Sequence, residues 1–185
     1  TRVEQKLMAK VVWHVTMSLD GFIAGPGGSM DWMLGFGDED DEVKELIKSI
    51  GAVLAGRGTY DVGAAQERPE FRKPYGGAFI GPVFVLTHKP PQDPDVTFLS
   101  GDIRAAVEKA AEAAGDKYVV VFGADIARQC IEAGLVDEVM IHVVPVLLGD
   151  GVRLFSRKGG DAIHLELAHE SRNRQVINLR FSVVG

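Results

Sequence analysis

Tyr118-Val119-Val120-Val121-Phe122-Gly123-Ala124-Asp125-Ile126 is the stretch on which the reading of this chain turns. From Tyr118 to Phe122 every residue is aromatic or β-branched and none is charged, the pattern of a strand covered on both faces rather than one with a wet side. A glycine follows at once, and residues 124–133 then carry a helical pattern that Gly134 ends. A buried strand running through glycine into a helix is the building unit of an α/β fold. The same junction offers unpaired backbone N–H groups to an anion.

Outward from this centre, strand and helix alternate. Residues 10–17 form a β-branched run, residues 40–49 are amphipathic with Val43, Leu46, Ile47 and Ile50 at helical spacing, and residues 52–55 are a short apolar strand. A helix is expected over 58–65, a loop rich in Pro and Gly over 66–82, and a strand over 83–87. Pro90, Pro91 and Pro94 enforce a turn before a short strand at 96–99, and Asp102 caps an Ala-rich helix reaching Ala114. A strand at 138–144 ends at Pro145. Residues 163–171 and 176–184 alternate apolar and polar on either side of Arg172–Gln175, which predicts an antiparallel hairpin with one wet face at a sheet edge. The expected fold class is α/β in three layers: a central mixed, mostly parallel sheet with a C-terminal antiparallel hairpin, and helices on both faces.

With 185 residues the chain is read as one domain over 8–185 behind a polar tail at 1–7, with no repeat, linker or low-complexity segment. The net charge of −6 and the scattered Lys and Arg argue against a nucleic-acid partner. No apolar run approaches the length of a membrane span, and the single cysteine, Cys130, excludes a disulfide within the chain and fits a reducing cytoplasm. His14 and His142 fall in strand patterns without a further ligand at metal spacing, so no metal is expected.

In an open α/β sheet ligands bind beyond the carboxyl ends of the strands. Three such ends carry suitable chemistry. Gly56-Arg57-Gly58-Thr59-Tyr60 combines close backbone approach, a hydroxyl and a guanidinium suited to phosphate. Thr87-His88-Lys89 sets a hydroxyl, an imidazole and an ammonium in succession. Gly123-Ala124-Asp125-Ile126 opens a helix as a pyrophosphate site does, although the three-glycine dinucleotide fingerprint is missing.

These turns, together with Met17-Ser18-Leu19-Asp20-Gly21-Phe22-Ile23-Ala24, Gly134-Leu135-Val136-Asp137-Glu138 and the run from His142 to Phe155, lie in an order that resembles the dihydrofolate-reductase-like family. That family includes the C-terminal reductase domain of the riboflavin-pathway bifunctional enzyme. The resemblance spans roughly residue 10 to the C-terminus. It implies NADPH as hydride donor and a small planar acceptor, pterin-like or riboflavin-precursor-like. It also implies that Arg57, Gly58 and Thr59 hold cofactor phosphates, that Thr87, His88 and Lys89 face the adenosine 2′-phosphate, and that Gly123, Ala124, Asp125 and Ile126 take the pyrophosphate. Members are commonly homodimers. One departure is that the family usually has Gly-Gly where this chain has Gly123-Ala124.

By the same resemblance Asp20 and Gly21 end the first strand beside the nicotinamide, and the loop 25–33 is a lid. A proton must accompany the hydride, so a pocket acid is expected. Asp20 and Asp40 are the candidates, the latter within the acidic run from Asp38 to Glu42, where helix-dipole stabilisation explains acids equally well. Asp31 and Trp32 are candidates for substrate contact, the indole by stacking or merely by covering core. The rival to a reductase is a catalytically silent module of the same fold that binds a nucleotide or a folate-like ligand.

Overall fold

A computed structural model describes residues 9–36 and 40–185. The tail 1–7, Met8, Asp38 and Glu39 lie outside the described residues. The strands are β1 (Val11–Ser18), β2 (Phe22–Ala24), β3 (Ile50–Gly56), β4 (Val83–Leu86), β5 (Thr97–Leu99), β6 (Tyr118–Phe122), β7 (Glu138–Val144), β8 (Val152–Arg153), β9 (Leu165–Asn173) and β10 (Val176–Val183). The α-helices are α1 (Asp41–Ser49), α2 (Arg57–Ala64), α3 (Ile103–Ala114) and α4 (Ala124–Glu132).

The main sheet runs β5-β4-β3-β6-β1-β7-β10-β9. Its pairings are parallel from β5 through β7 and antiparallel from β7 to β9. The apolar run at 118–122 thus lies well inside the sheet, between β3 and β1, where both of its faces are covered.

Period-2 alternation sorts the strand residues between two cores. On one face Val11, Trp13, Leu54, Val119 and Val121 pack under the small residues of α3 and α4, among them Ala110, Ala127 and Cys130. On the other, Val12, Val53, Val120 and Met140 meet Leu46 of α1. Truncating a side chain such as Leu54, fully buried at 0% exposure, would cost about 2–5 kcal/mol through lost burial and the cavity left behind.

Several boundaries differ from the sequence expectations. β3 starts at Ile50 because Ile50 pairs with Tyr118, and α2 begins at Arg57, directly from Gly56. The loop 66–82 contains the 3-10 turns Pro69–Phe71 and Pro74–Gly77. β2 and β8 form a small separate antiparallel pair, each too short to leave a periodic signal. The hairpin strand expected over 163–171 is observed at Leu165–Asn173, and the dry face expected of it is corrected. As the outermost strand, β9 leaves Leu165 and Leu167 exposed.

Candidate functional site

A cavity of about 1450 Å³ follows the carboxyl ends of β3, β4 and β6 and continues beneath the start of α1. That exceeds the roughly 300–1,000 Å³ of an ordinary small-molecule pocket. It is room for two ligands side by side, and its two halves differ in chemistry.

The first half is built by strand-to-helix junctions. α1 and α3 begin at Asp40 and Asp102, whose carboxylates accept from the backbone N–H of Glu42 and Ala105. α2 and α4, which begin at the cavity, have Gly56 and Gly123 as N-caps and no side-chain acceptor. Their first N–H groups therefore lack a side-chain cap at a place where helix dipoles favour negative charge. The junctions are packed so closely that only glycine fits. Gly123 has φ 94, and a methyl there would collide with Thr59 Oγ1, while a methyl at Gly56 would lie 2.8 Å from Ile126 Cγ1. Ala124, by contrast, starts α4 without a positive φ, so its methyl strains no backbone.

Arg57, Gly58, Thr59, Thr87, His88 and the residues from Gly123 to Ile126 all line this half. Arg57 and the Thr87–Lys89 segment, distant in sequence, are brought together. The Arg57 guanidinium donates through Nη1 to the Lys89 carbonyl and through Nε to Asp61 at 2.7 Å. Lys89 is exposed outside the cavity lining, and its backbone N–H donates to Thr87 Oγ1 at 3.3 Å. Asp125 is turned aside by Arg128 and Gln129, each at 2.8 Å, which keeps its charge occupied beside the α4 N-terminus.

The second half is apolar with a polar floor. Met30, Met33, Phe36, Phe79 and Phe122 supply flat or pliable apolar surface. The floor is a line of hydrogen bonds across three strands. Tyr75 Oη lies 2.7 Å from His14 Nδ1, His14 Nε2 lies 2.6 Å from His142 Nε2, and His142 Nδ1 lies 2.6 Å from Asn178 Oδ1. Asn178 Nδ2 then donates to Asp40 Oδ2 at 3.0 Å and to Ser171 Oγ at 3.1 Å. His14, His142, Asn178 and Asp40 are all buried. Burial, and next the neighbouring His142, hold His14 well below the ordinary histidine range, and burial raises the Tyr75 phenol above its own. Tyr75 adopts φ 54 and ψ 37, a left-handed conformation rare for a bulky residue and typical of functional sites.

The other sequence candidates lie elsewhere. Asp20 does not line the cavity; its carboxylate accepts from Ser18 Oγ at 2.6 Å, Leu148 N at 3.1 Å and Gly149 N at 2.7 Å, binding the turn after β1 to a distant loop. The Ser18 hydroxyl foremost holds its pKa down to about 2. Gly21, with φ 91, shapes that turn. Asp31 pairs with Arg68 at 3.4 Å, and Trp32 donates its indole N–H to Ser29 O at 3.0 Å. Neither lines the cavity; their neighbours Met30 and Met33 do. The loop 25–33 packs on α2, where Gly28 abuts Val62.

Sequence reasoning passed over Tyr75 and Asn178 and read His14 and His142 as packed or surface residues of strands rather than as metal ligands. The available signal was parity: His14 shares a face with Val12, and His142 with Met140, so each histidine sits where an apolar residue belongs. Among the described residues no group of three or more His, Cys, Asp or Glu is placed to hold a metal, and no helix is long and apolar enough to cross a membrane.

A family model described as the RibD C-terminal domain matches residues 9–177. The uncharacterized protein YwjB of Bacillus subtilis (strain 168) is 32% identical over 149 residues, 79% of this chain and 82% of its own. The uncharacterized protein YyaP of the same organism is 26% identical over 160 residues, 79% and 80% of the two chains. Among solved structures, a Shewanella sp. PV-4 protein provisionally assigned to riboflavin biosynthesis shares 22% identity at TM-score 0.76, covering 96% of this chain and 99% of that one. Dihydrofolate reductase from Enterococcus faecalis, complexed with NADP(H), shares 16% identity at TM-score 0.63, covering 95% and 97%. The fold is dihydrofolate-reductase-like.

Proposed function

The chain belongs to the RibD C-terminal domain family, and from that premise we propose that it is an NADPH-dependent reductase of a small planar heterocycle, pterin-like or riboflavin-precursor-like. The observation that carries this reading is the two-part cavity. One half offers glycine-capped helix N-termini beside a guanidinium, and the other an apolar slot over a polar floor.

The residues present fit a dinucleotide. The α2 and α4 N-termini, with Gly58, Thr59 and the segment from Gly123 to Ile126, would hold the pyrophosphate through backbone N–H groups. Arg57, with Thr87, His88 and Lys89, would hold the 2′-phosphate that distinguishes NADPH from NADH. When bound, the reduced nicotinamide supplies a hydride. The protein's part is then to orient the acceptor, exclude water and deliver a proton. Met30, Met33 and Phe36 cover the acceptor, a role for the loop 25–33 that suits its packing on α2. Asp40 and the histidine pair form the hydrogen-bonded floor beneath the acceptor's polar edge. Asp20, Gly21, Asp31 and Trp32 act at one remove, by holding the turn and the loop.

The relatives named above suit this reading, since the Enterococcus protein is a reductase complexed with NADP(H). A thermal-shift titration tests it, because a ligand that binds the folded state raises the melting temperature by mass action. NADPH should stabilise the protein more than NADH, and Arg57→Ala should abolish most of that preference while leaving NADH binding nearly unchanged. Stabilisation by neither nucleotide would refute the reading. Stabilisation by NADPH without oxidation in the presence of dihydrofolate or reducible pyrimidine ribosides would favour the silent module.

A further inference from the structure

The polar line under α1 has a direction, which follows from hydrogen-bonding capacity alone. Each Asp40 oxygen faces an N–H donor, Oδ1 that of Glu42 at 2.9 Å and Oδ2 that of Asn178. Asn178 Nδ2 is committed to acceptors, so Asn178 Oδ1 must accept, and His142 Nδ1 must carry the hydrogen between them. A neutral His142 then has a bare Nε2. The contact at 2.6 Å requires that His14 donate from its own Nε2, which leaves His14 Nδ1 to accept the Tyr75 hydroxyl. In the neutral state every bond therefore points from Tyr75 toward Asp40.

One added proton reverses part of the line without moving a heavy atom. With His142 protonated at both nitrogens, its Nε2–H donates to His14 Nε2, and His14 Nδ1–H donates to Tyr75 Oη. The phenolic hydrogen is then free to face the cavity that Tyr75 and both histidines line. The pair has no place for a second proton, because two N–H groups would meet across 2.6 Å. The left-handed backbone of Tyr75 and the stacking of its ring on His14, at 5.5 Å and 18°, hold the hydroxyl at this junction.

We propose that Tyr75 is the acid that completes reduction of the acceptor, recharged through His14 from a single proton stored on the His14–His142 pair. Asn178 and Asp40 are positioning residues that fix the direction of the line. The proposal rests on the reductase reading. As the carbon of the acceptor's C=N bond takes a hydride from reduced nicotinamide, the acceptor is reduced and the nicotinamide oxidised. The Tyr75 O–H bond breaks as an N–H bond forms on the acceptor nitrogen. The His14 Nδ1 proton passes to Tyr75 Oη, and the His142 Nε2 proton to His14 Nε2. What remains is the neutral line described above, which one proton from solvent reloads. The charged groups of the packed elements are largely neutralised among themselves, Glu42 with His169 of β9 and Glu138 with Arg180 of β10, while Glu70, Arg72 and Lys73 line the cavity ahead of Tyr75.

The first test is nitrogen-15 NMR of the intact protein labelled at histidine, from about pH 8 to pH 5. At the upper end His14 should carry its hydrogen on Nε2 and His142 on Nδ1. On acidification the pair should gain one proton between them, and Tyr75→Phe should shift the His14 Nδ1 resonance. No proton gained by the pair across this range, two independent protonations, or the same tautomer at both rings would overturn the proposal. The second test is turnover with NADPH and the acceptor. Tyr75→Phe should lower kcat about 100-fold or more, change KM little, and show a residual rate that rises with acidity. NADPH-induced thermal stabilisation serves as its folding control. A kcat and pH profile equal to wild type would overturn the proposal. NADPH binding without turnover in the wild type would instead strike at the reductase reading, and the proton count would still judge the pair as a store.

Discussion

Gly123→Ala probes the junction on which the cofactor half of the cavity is built. Gly123 sits at φ 94 and ψ 151, a region that an L-residue occupies only at about 1–3 kcal/mol. Its new methyl would also strike Thr59 Oγ1, and overpacking of that kind costs a further ~1–3 kcal/mol. The single variant should therefore lose about 2–6 kcal/mol, a large share of the ~5–15 kcal/mol that keeps a domain folded. Thr59→Ala combined with Gly123→Ala removes the collision but keeps the backbone strain, so the double variant should recover to a loss of about 1–3 kcal/mol. Urea unfolding followed by circular dichroism measures both, with the midpoint falling and the slope unchanged. A Gly123→Ala unfolding free energy within about 0.5 kcal/mol of wild type would refute the strained junction. A double variant no more stable than the single would refute the contact with Thr59.

Two further predictions concern the polar groups. Asn178→Leu strips partners from His142 Nδ1 and Asp40 Oδ2, both buried, and should cost about 1–3 kcal/mol for each group left unsatisfied in the same unfolding assay; Ser171→Ala, at the half-exposed branch, should cost less than about 1 kcal/mol. Asp20 has a folded pKa of about 2, below its ordinary 3.8, so its contribution is present above the ordinary value and is lost as pH falls toward about 2. Asp20→Asn should therefore melt lower than wild type near neutrality, and the gap should close across that acid window. A gap independent of pH in a melting series would show that the carboxylate's charge does not tie the two loops together.

The sequence by itself determined the sheet's centre, the strand–helix alternation and the three strand ends that line the cavity. These depend on local signals: an unbroken apolar run at 118–122, glycines at 56 and 123, and Asp102 at a helix start. Patterning of that kind acts over a few residues and is legible wherever it occurs. The tertiary structure alone decided the polar floor. Tyr75, His14, His142, Asn178 and Asp40 come from five separate segments, and as many as 138 positions separate Asp40 from Asn178. A buried histidine reads as an isolated polar residue until the register of β1 against β7 brings His142 diagonal to His14, and that of β7 against β10 sets Asn178 opposite His142. Likewise, whether Asp20 or Asp40 reaches the cavity depended on which backbone N–H groups the folded loops left for each carboxylate. A hydrogen-bond network is a property of distances between elements, and no local pattern in the chain encodes those distances.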